Sequence, residues 1–175
     1  MDIVVTPDPT AAGPPATGTL SWPGGTARCA LGWGGVRADK REGDGATPAG
    51  LLPLRYVLYR PDRIPRPATR LPARPIGPDD GWCDDPARPE YNRPVKLPFP
   101  GRHETLSRID DLYDAIIVLG WNDAPAVPEK GSAIFLHVAR PDYAPTEGCV
   151  ALARADLLRL LAACGPGDRL KVDLP

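Results

Sequence analysis

Apolar residues along this chain fall into short blocks rather than long periodic stretches. Ile3, Val4 and Val5 form a β-branched patch, and Gly18-Thr-Leu-Ser-Trp22 roughly alternates, so strands are predicted over 2–6 and 18–22. Pro23-Gly24-Gly25 predicts a turn, followed by strands at 26–31 and over Leu54–Tyr59. Ala115–Leu119 and Ala133–Ala139 are continuous apolar runs, the pattern of strands buried on both faces. Leu157, Leu158, Leu160 and Leu161 lay an apolar stripe along Arg154–Ala163, with Asp156 in the first turn and Gly165-Pro166 as the stop. This is the one clear helix. Leu170–Leu174 alternates and closes the chain as a strand.

Between these blocks the chain changes character. Six glycines lie between Gly32 and Gly50, a loop ending in Thr47-Pro48-Ala49-Gly50, which reads as a turn that sets a strand register. Pro61 to Pro100 holds eleven prolines and little periodicity. An irregular excursion over 61–104 is therefore expected, ordered as a wall by the anchors Trp82 and Tyr91. Trp82, Tyr91 and Trp121 read as core residues, with groove lining as the alternative. The expectation is one domain over 1–175, with its core at about 18–174. It is mostly β, a sandwich-like mixed sheet with one or two short α-helices.

Composition narrows the classes. Proline makes up 24 of 175 residues, about 14% against a usual ~5%, which limits long helices and central strands. The formal net charge is −1 and no basic run exceeds Lys40-Arg41, so neither nucleic acid nor an anionic membrane is expected as partner. No apolar run approaches the ~20 residues of a membrane span, so no membrane insertion is expected. The first ten residues carry neither a basic segment nor an apolar run and do not read as a secretory signal. A cytoplasmic chain, a chain without its leader and unconventional export all fit that observation. Cys29, Cys83, Cys149 and Cys164 form no Cys-x-x-Cys pair, and His103 and His137 lie far from a second cysteine at ligand spacing. No metal site is expected. A disulfide among Cys29, Cys83 and Cys164 is open.

The chemistry concentrates in Ile134-Phe-Leu-His137-Val-Ala-Arg140-Pro-Asp-Tyr143-Ala-Pro-Thr146-Glu147-Gly148-Cys149-Val-Ala-Leu152. A histidine on a buried strand is followed, after a polar proline-bounded loop, by Thr-Glu-Gly-Cys. A thiol needs a base or a positive field to act as a nucleophile near neutral pH, and imidazole suits that task. Cys149 is the candidate nucleophile and His137 its general base. Gly148 lets the backbone approach closely, so the N–H of Gly148 or Cys149 is expected to face a developing oxyanion. Cys149 just ahead of the helix suggests help from the helix dipole. Glu147 reads first as a loop carboxylate paired with Arg140 or another base, and His103 as a solvated loop histidine.

This segment resembles the active-site signature of the YkuD-type L,D-transpeptidases, in which a strand-borne His precedes Ser/Thr-His-Gly-Cys and then Ile/Val. Thr146, Gly148, Cys149 and Val150 match, as does His137 upstream. Gly45-Ala-Thr47-Pro48-Ala-Gly50 resembles the family's Thr-Pro-x-Gly turn. Three positions depart: Glu147 stands for a second His, Val138 for the usual Gly, and Ala151 for an Arg or Asn. The resemblance implies a divergent branch with a YkuD-like fold and the Cys in a cleft under a loop. The implied reaction acts on peptidoglycan stem peptides as donor and acceptor, through a thioester and without a cofactor. It implies a cell-envelope or periplasmic setting. It also marks Arg140, Tyr143, Thr146 and Glu147 as substrate-binding candidates, with Arg140 supplying a cation for a carboxylate. A thiol hydrolase on the same scaffold is the alternative, separated by product analysis with and without an amine acceptor. A non-catalytic wall-binding module is a third reading, in which Cys149→Ala leaves the biological effect intact.

Overall fold

The computed structural model describes residues 1–9, 13 and 16–175. In chain order the elements are β1 (Asp2–Pro7), β2 (Thr17–Trp22), β3 (Gly25–Ala30), β4 (Val36–Arg37), β5 (Thr47–Pro48), β6 (Gly50–Tyr59), β7 (Ala73–Pro75), β8 (Asp80–Cys83), β9 (Pro94–Lys96), β10 (His103–Thr105), β11 (Ala115–Leu119), β12 (Phe135–Val138), β13 (Val150–Leu152), α1 (Arg154–Ala163) and β14 (Arg169–Val172). The fold is mainly β with one helix among the described residues, as the short apolar blocks predict.

Nine strands share one sheet, in the order β11-β12-β13-β3-β2-β1-β14-β6-β7, and β6 also pairs with β11. The sheet therefore closes on itself. Closure depends on the length of β6: Gly50–Pro53 pair with β14, and Leu54–Tyr59 pair with β11. The strand predicted over Leu54–Tyr59 extends back to Gly50, across a proline that lacks an N–H for the ladder. In the fold Pro53 sits where the neighbours change over, and its carbonyl accepts the Gly120 N–H at 2.7 Å.

Alternation divides most of the buried residues between two cores, beside a small cluster of Ala30, Ala139 and Ala151. Ile117 and Leu119 of β11, Leu136 and Val138 of β12, and Val150 and Leu152 of β13 point into the enclosed core with Ile3, Val5, Leu20 and the helix residues Leu157, Leu160 and Leu161. Ile116, Val118, Phe135 and Cys149 point the other way, into a second core with Trp82, Leu106 and Tyr113. Both faces of β11–β13 are thus covered, which is why these segments read as unbroken apolar runs.

The cover on the second face is the proline-rich excursion, and it is less irregular than its composition predicts. β7 joins the main sheet parallel to β6, while β8, β9 and β10 form a three-stranded sheet in the order β10-β8-β9. Strands of three or four residues fall below what periodicity can register, and Pro94 sits on the edge strand β9, where a missing N–H is tolerated. Trp82 meets the Phe135 ring edge-on, with centroids 5.0 Å apart, so the wall is keyed to β12 as expected of an anchor. Tyr91 is also buried. All four cysteines are free thiols, so the open disulfide among Cys29, Cys83 and Cys164 is not made.

Candidate active site

β12 and β13 run parallel, with His137 opposite Ala151. Cys149 lies two positions before Ala151, and a two-residue period puts it on the same sheet face as His137. Both open into one cavity of about 720 Å³, walled on its far side by β10 and the segment leading to β11. The two side chains are not hydrogen-bonded to each other, and each has a backbone partner. The Cys149 thiol donates to the Ala133 carbonyl at 3.2 Å, and the Phe135 N–H donates to Sγ at 3.4 Å. His137 Nδ1 lies 2.8 Å from the Val138 carbonyl. A carbonyl only accepts, so Nδ1 carries the proton and Nε2 keeps its lone pair.

The chain bends sharply to bring Ala133 and Phe135 to the sulfur. Gly131 and Ala133 both have positive φ, +93° and +52°. Asn92, from the excursion, stabilises the bend. Its Oδ1 accepts the Ala133 N–H and the Trp82 Nε1–H, each at 3.0 Å, while its amide donates to the carbonyls of Trp121 and Asn122. The wall therefore also sets the sulfur's backbone partners.

Burial dominates the protonation states. Desolvation pushes the Cys149 thiol up to about 12, and the nearby Glu104 carboxylate acts in the same direction. Desolvation pushes His137 down to about 4, partly opposed by its bond to Val138. At neutral pH the resting pair is a neutral thiol and a neutral imidazole. The helix dipole does not alter this: β13 and Ala153 separate Cys149 from α1, so the expected dipole assistance is absent.

The loop before Cys149 is shaped by Thr146. Its hydroxyl donates to the Cys149 carbonyl at 2.6 Å and accepts the Gly148 N–H at 3.1 Å. Thr146 lines the cavity, and these two bonds tie its hydroxyl to the Cys149 turn. The Gly148 N–H is likewise taken and is not free to hold an oxyanion. Gly148 itself is required, because φ is +126° and an added Cβ would lie 2.7 Å from the Ala46 carbonyl oxygen. Gly148→Ala is expected to lower the unfolding free energy by roughly 2–4 kcal/mol, read as a shift in urea midpoint. A loss below about 0.5 kcal/mol would mean the loop relaxes freely.

The glycine-rich loop meets this turn. Gly32 bridges Thr146, and its N–H donates to the buried Thr47 hydroxyl at 2.9 Å. The two sequence signatures, a hundred residues apart, are thus neighbours. Thr47-Pro48 forms the short strand β5 against β4, and Gly50, with φ +118°, opens β6, in keeping with a register-setting turn.

The remaining candidates divide. Arg140 lines the cavity; its carbonyl accepts the Tyr143 N–H at 2.9 Å, while its guanidinium makes no hydrogen bond or ion pair among the described residues. Glu147 also lines it, but its carboxylate accepts the Trp33 Nε1–H at 2.8 Å, so the expected pairing with Arg140 is not made. Tyr143 lies outside this cavity, in an adjoining groove of about 370 Å³ that shares Arg140. With φ +55° its side chain turns back under the Arg28 guanidinium, 4.7 Å from the ring centre. His103 lines the cavity with Nδ1 against the Gly101 carbonyl, whereas Trp82, Tyr91 and Trp121 do not.

Sequence reading missed Glu104, Arg108 and Tyr113. The Tyr113 ring stands edge-on to His137 with centroids 5.3 Å apart, and its hydroxyl donates to the Glu104 carboxyl. Arg108 lies over the Tyr113 ring and pairs with Asp110. Only the polar stretch Gly101–Glu104 hinted at them, because their approach to His137 depends on the second core.

Residues 14–172 match the family model for the YkuD L,D-transpeptidase catalytic domain. The chain belongs to the YkuD family. Comparison with curated proteins and with solved structures returns no match. YkuD domains are cysteine-dependent enzymes acting on peptidoglycan, typically in the cell envelope. Among the described residues, no helix is long and apolar enough to cross a membrane.

Proposed function

We propose that this YkuD protein is an L,D-transpeptidase in which Cys149 forms a thioester with a peptidoglycan stem peptide and an amine then takes the acyl group. The observation that carries the reading is the placement of Cys149 and His137 on one sheet face, opening into one cavity, with Nε2 of the imidazole unprotonated. A neutral pair fits catalysis in which the proton leaves sulfur as the bond to carbon forms. The donor carbonyl enters beside Sγ. The thiol releases the Ala133 carbonyl, its proton passes to Nε2, and sulfur attacks. The Cys149 N–H is the amide left to receive the oxyanion, since that of Gly148 is engaged. The imidazolium, a strong acid in this buried position, then protonates the departing amine.

In this reading Arg140, exposed and lining the cavity, holds a substrate carboxylate. Arg140→Ala is expected to raise KM for a carboxylate-bearing donor roughly tenfold while changing kcat little, the loss of one charge-assisted hydrogen bond. Equal KM for both proteins would remove Arg140 from the site. The central test is intact mass after incubation with a carbapenem, which resemblance to the family predicts will acylate the cysteine. One covalent adduct is expected. A folded protein that gains no mass under conditions allowing turnover would overturn the thioester reading.

A further inference from the structure

Glu104 is a carboxyl group that the acylation step does not use. It lines the same cavity as Cys149 and His137. One of its oxygens accepts the Tyr113 hydroxyl. The other has no hydrogen-bond partner among the described residues. It stands on β10 opposite Trp82, whose ring packs on Phe135, the residue whose N–H meets the sulfur. The charged groups acting on it are Arg108, which favours its anion, and Asp84 and Glu42, which oppose it.

We propose that Glu104 docks the acceptor as an ammonium ion and takes its proton, so that the cavity selects an amine over water. This rests on the thioester reading above. An alkyl amine arrives in water as its ammonium and is not a nucleophile until it loses a proton. The balance is simple. The ammonium passes one proton to the Glu104 carboxylate. The nitrogen lone pair then attacks the thioester carbon, the C–S bond breaks, and the amine's second proton reaches the departing sulfur through His137. The products are an amide, the Cys149 thiol and a Glu104 carboxylic acid, which returns its proton to water. Burial, the largest influence on this carboxyl, raises its proton affinity and suits it to that acceptance. Water carries no charge for Glu104 to hold, so the same group gives hydrolysis less assistance.

The test compares two acceptors on the full chain. The protein is acylated with a stem tetrapeptide, and the acyl group is passed either to the side-chain amine of Nα-acetyl-lysine, charged at neutral pH, or to hydroxylamine, which is uncharged there. Glu104→Gln keeps an oxygen to accept the Tyr113 hydroxyl while losing the base. It is expected to lower the ratio of lysine transfer to hydroxylamine transfer by roughly 100-fold. A fall shared equally by both acceptors, or no change in the ratio, would overturn the assignment. Absence of any acyl-enzyme in the unsubstituted protein is a separate observation and would overturn the thioester reading together with it.

Discussion

Cys149→Ala is expected to abolish both stem-peptide turnover and the covalent adduct, a fall on the order of 10⁴–10⁶ in rate, because no other group can take the place of the sulfur. Cys29 and Cys164 lie in the enclosed core with their thiols pushed by burial to about 12, and Cys83 is also buried and shifted upward. The fold should survive. Alanine leaves the Ala133 carbonyl and the Phe135 N–H without their sulfur partner, which costs about 1 kcal/mol per group. Cys149→Ser separates the two effects: a hydroxyl still donates to Ala133 but is far less acidic than a thiol, so stability returns and activity does not. Intact mass after acylation, with circular dichroism on the same samples, checks this. An adduct that persists in a folded Cys149→Ala protein would place the chemistry elsewhere.

How much of this was legible in the sequence depends on where each signal resides. Local signals were strong: the helix over Arg154–Ala163 and the strand over Ala115–Leu119 have the expected bounds, because leucine spacing and an unbroken apolar run are properties of neighbours in the chain. Cys149 and His137 come to one face because β12 and β13 run parallel and the segment joining them, residues 139–149, lies within a single stretch of chain. What escaped depends on contacts between distant segments. Pro53 inside β6 is tolerated only because two strands exchange beside it. Glu104, Tyr113 and Asn92 reach the site through an excursion whose strands are too short for a period to show. The turn around Gly148 was read for its backbone freedom, but the Thr146 hydroxyl that occupies its amide becomes visible only once the loop is closed.

The second large effect concerns the imidazole. His137→Gln is expected to lower kcat/KM by roughly 10²–10⁴, because glutamine fills similar space with an amide that accepts no proton at working pH. With His137 held at about 4 rather than 6.5, the acidic limb of the free enzyme's kcat/KM should lie near pH 4 in the unsubstituted protein. The same shift predicts a signature in stability, independent of turnover. Below pH 6.5 the unfolded chain takes up a proton on this histidine, while the folded chain resists until about pH 4. Stability contributed by the neutral buried form is therefore complete above 6.5 and lost as pH falls to 4, by about 3 kcal/mol in all. Glutamine has no such linkage. Carboxylates common to both proteins cancel in the comparison, so the stability of His137→Gln relative to the parent should rise between pH 6.5 and 4. Urea unfolding across that window decides it. A constant difference would mean that His137 titrates alike in both states, and the imidazole would then not be the desolvated, neutral base on which the proposed proton transfer depends.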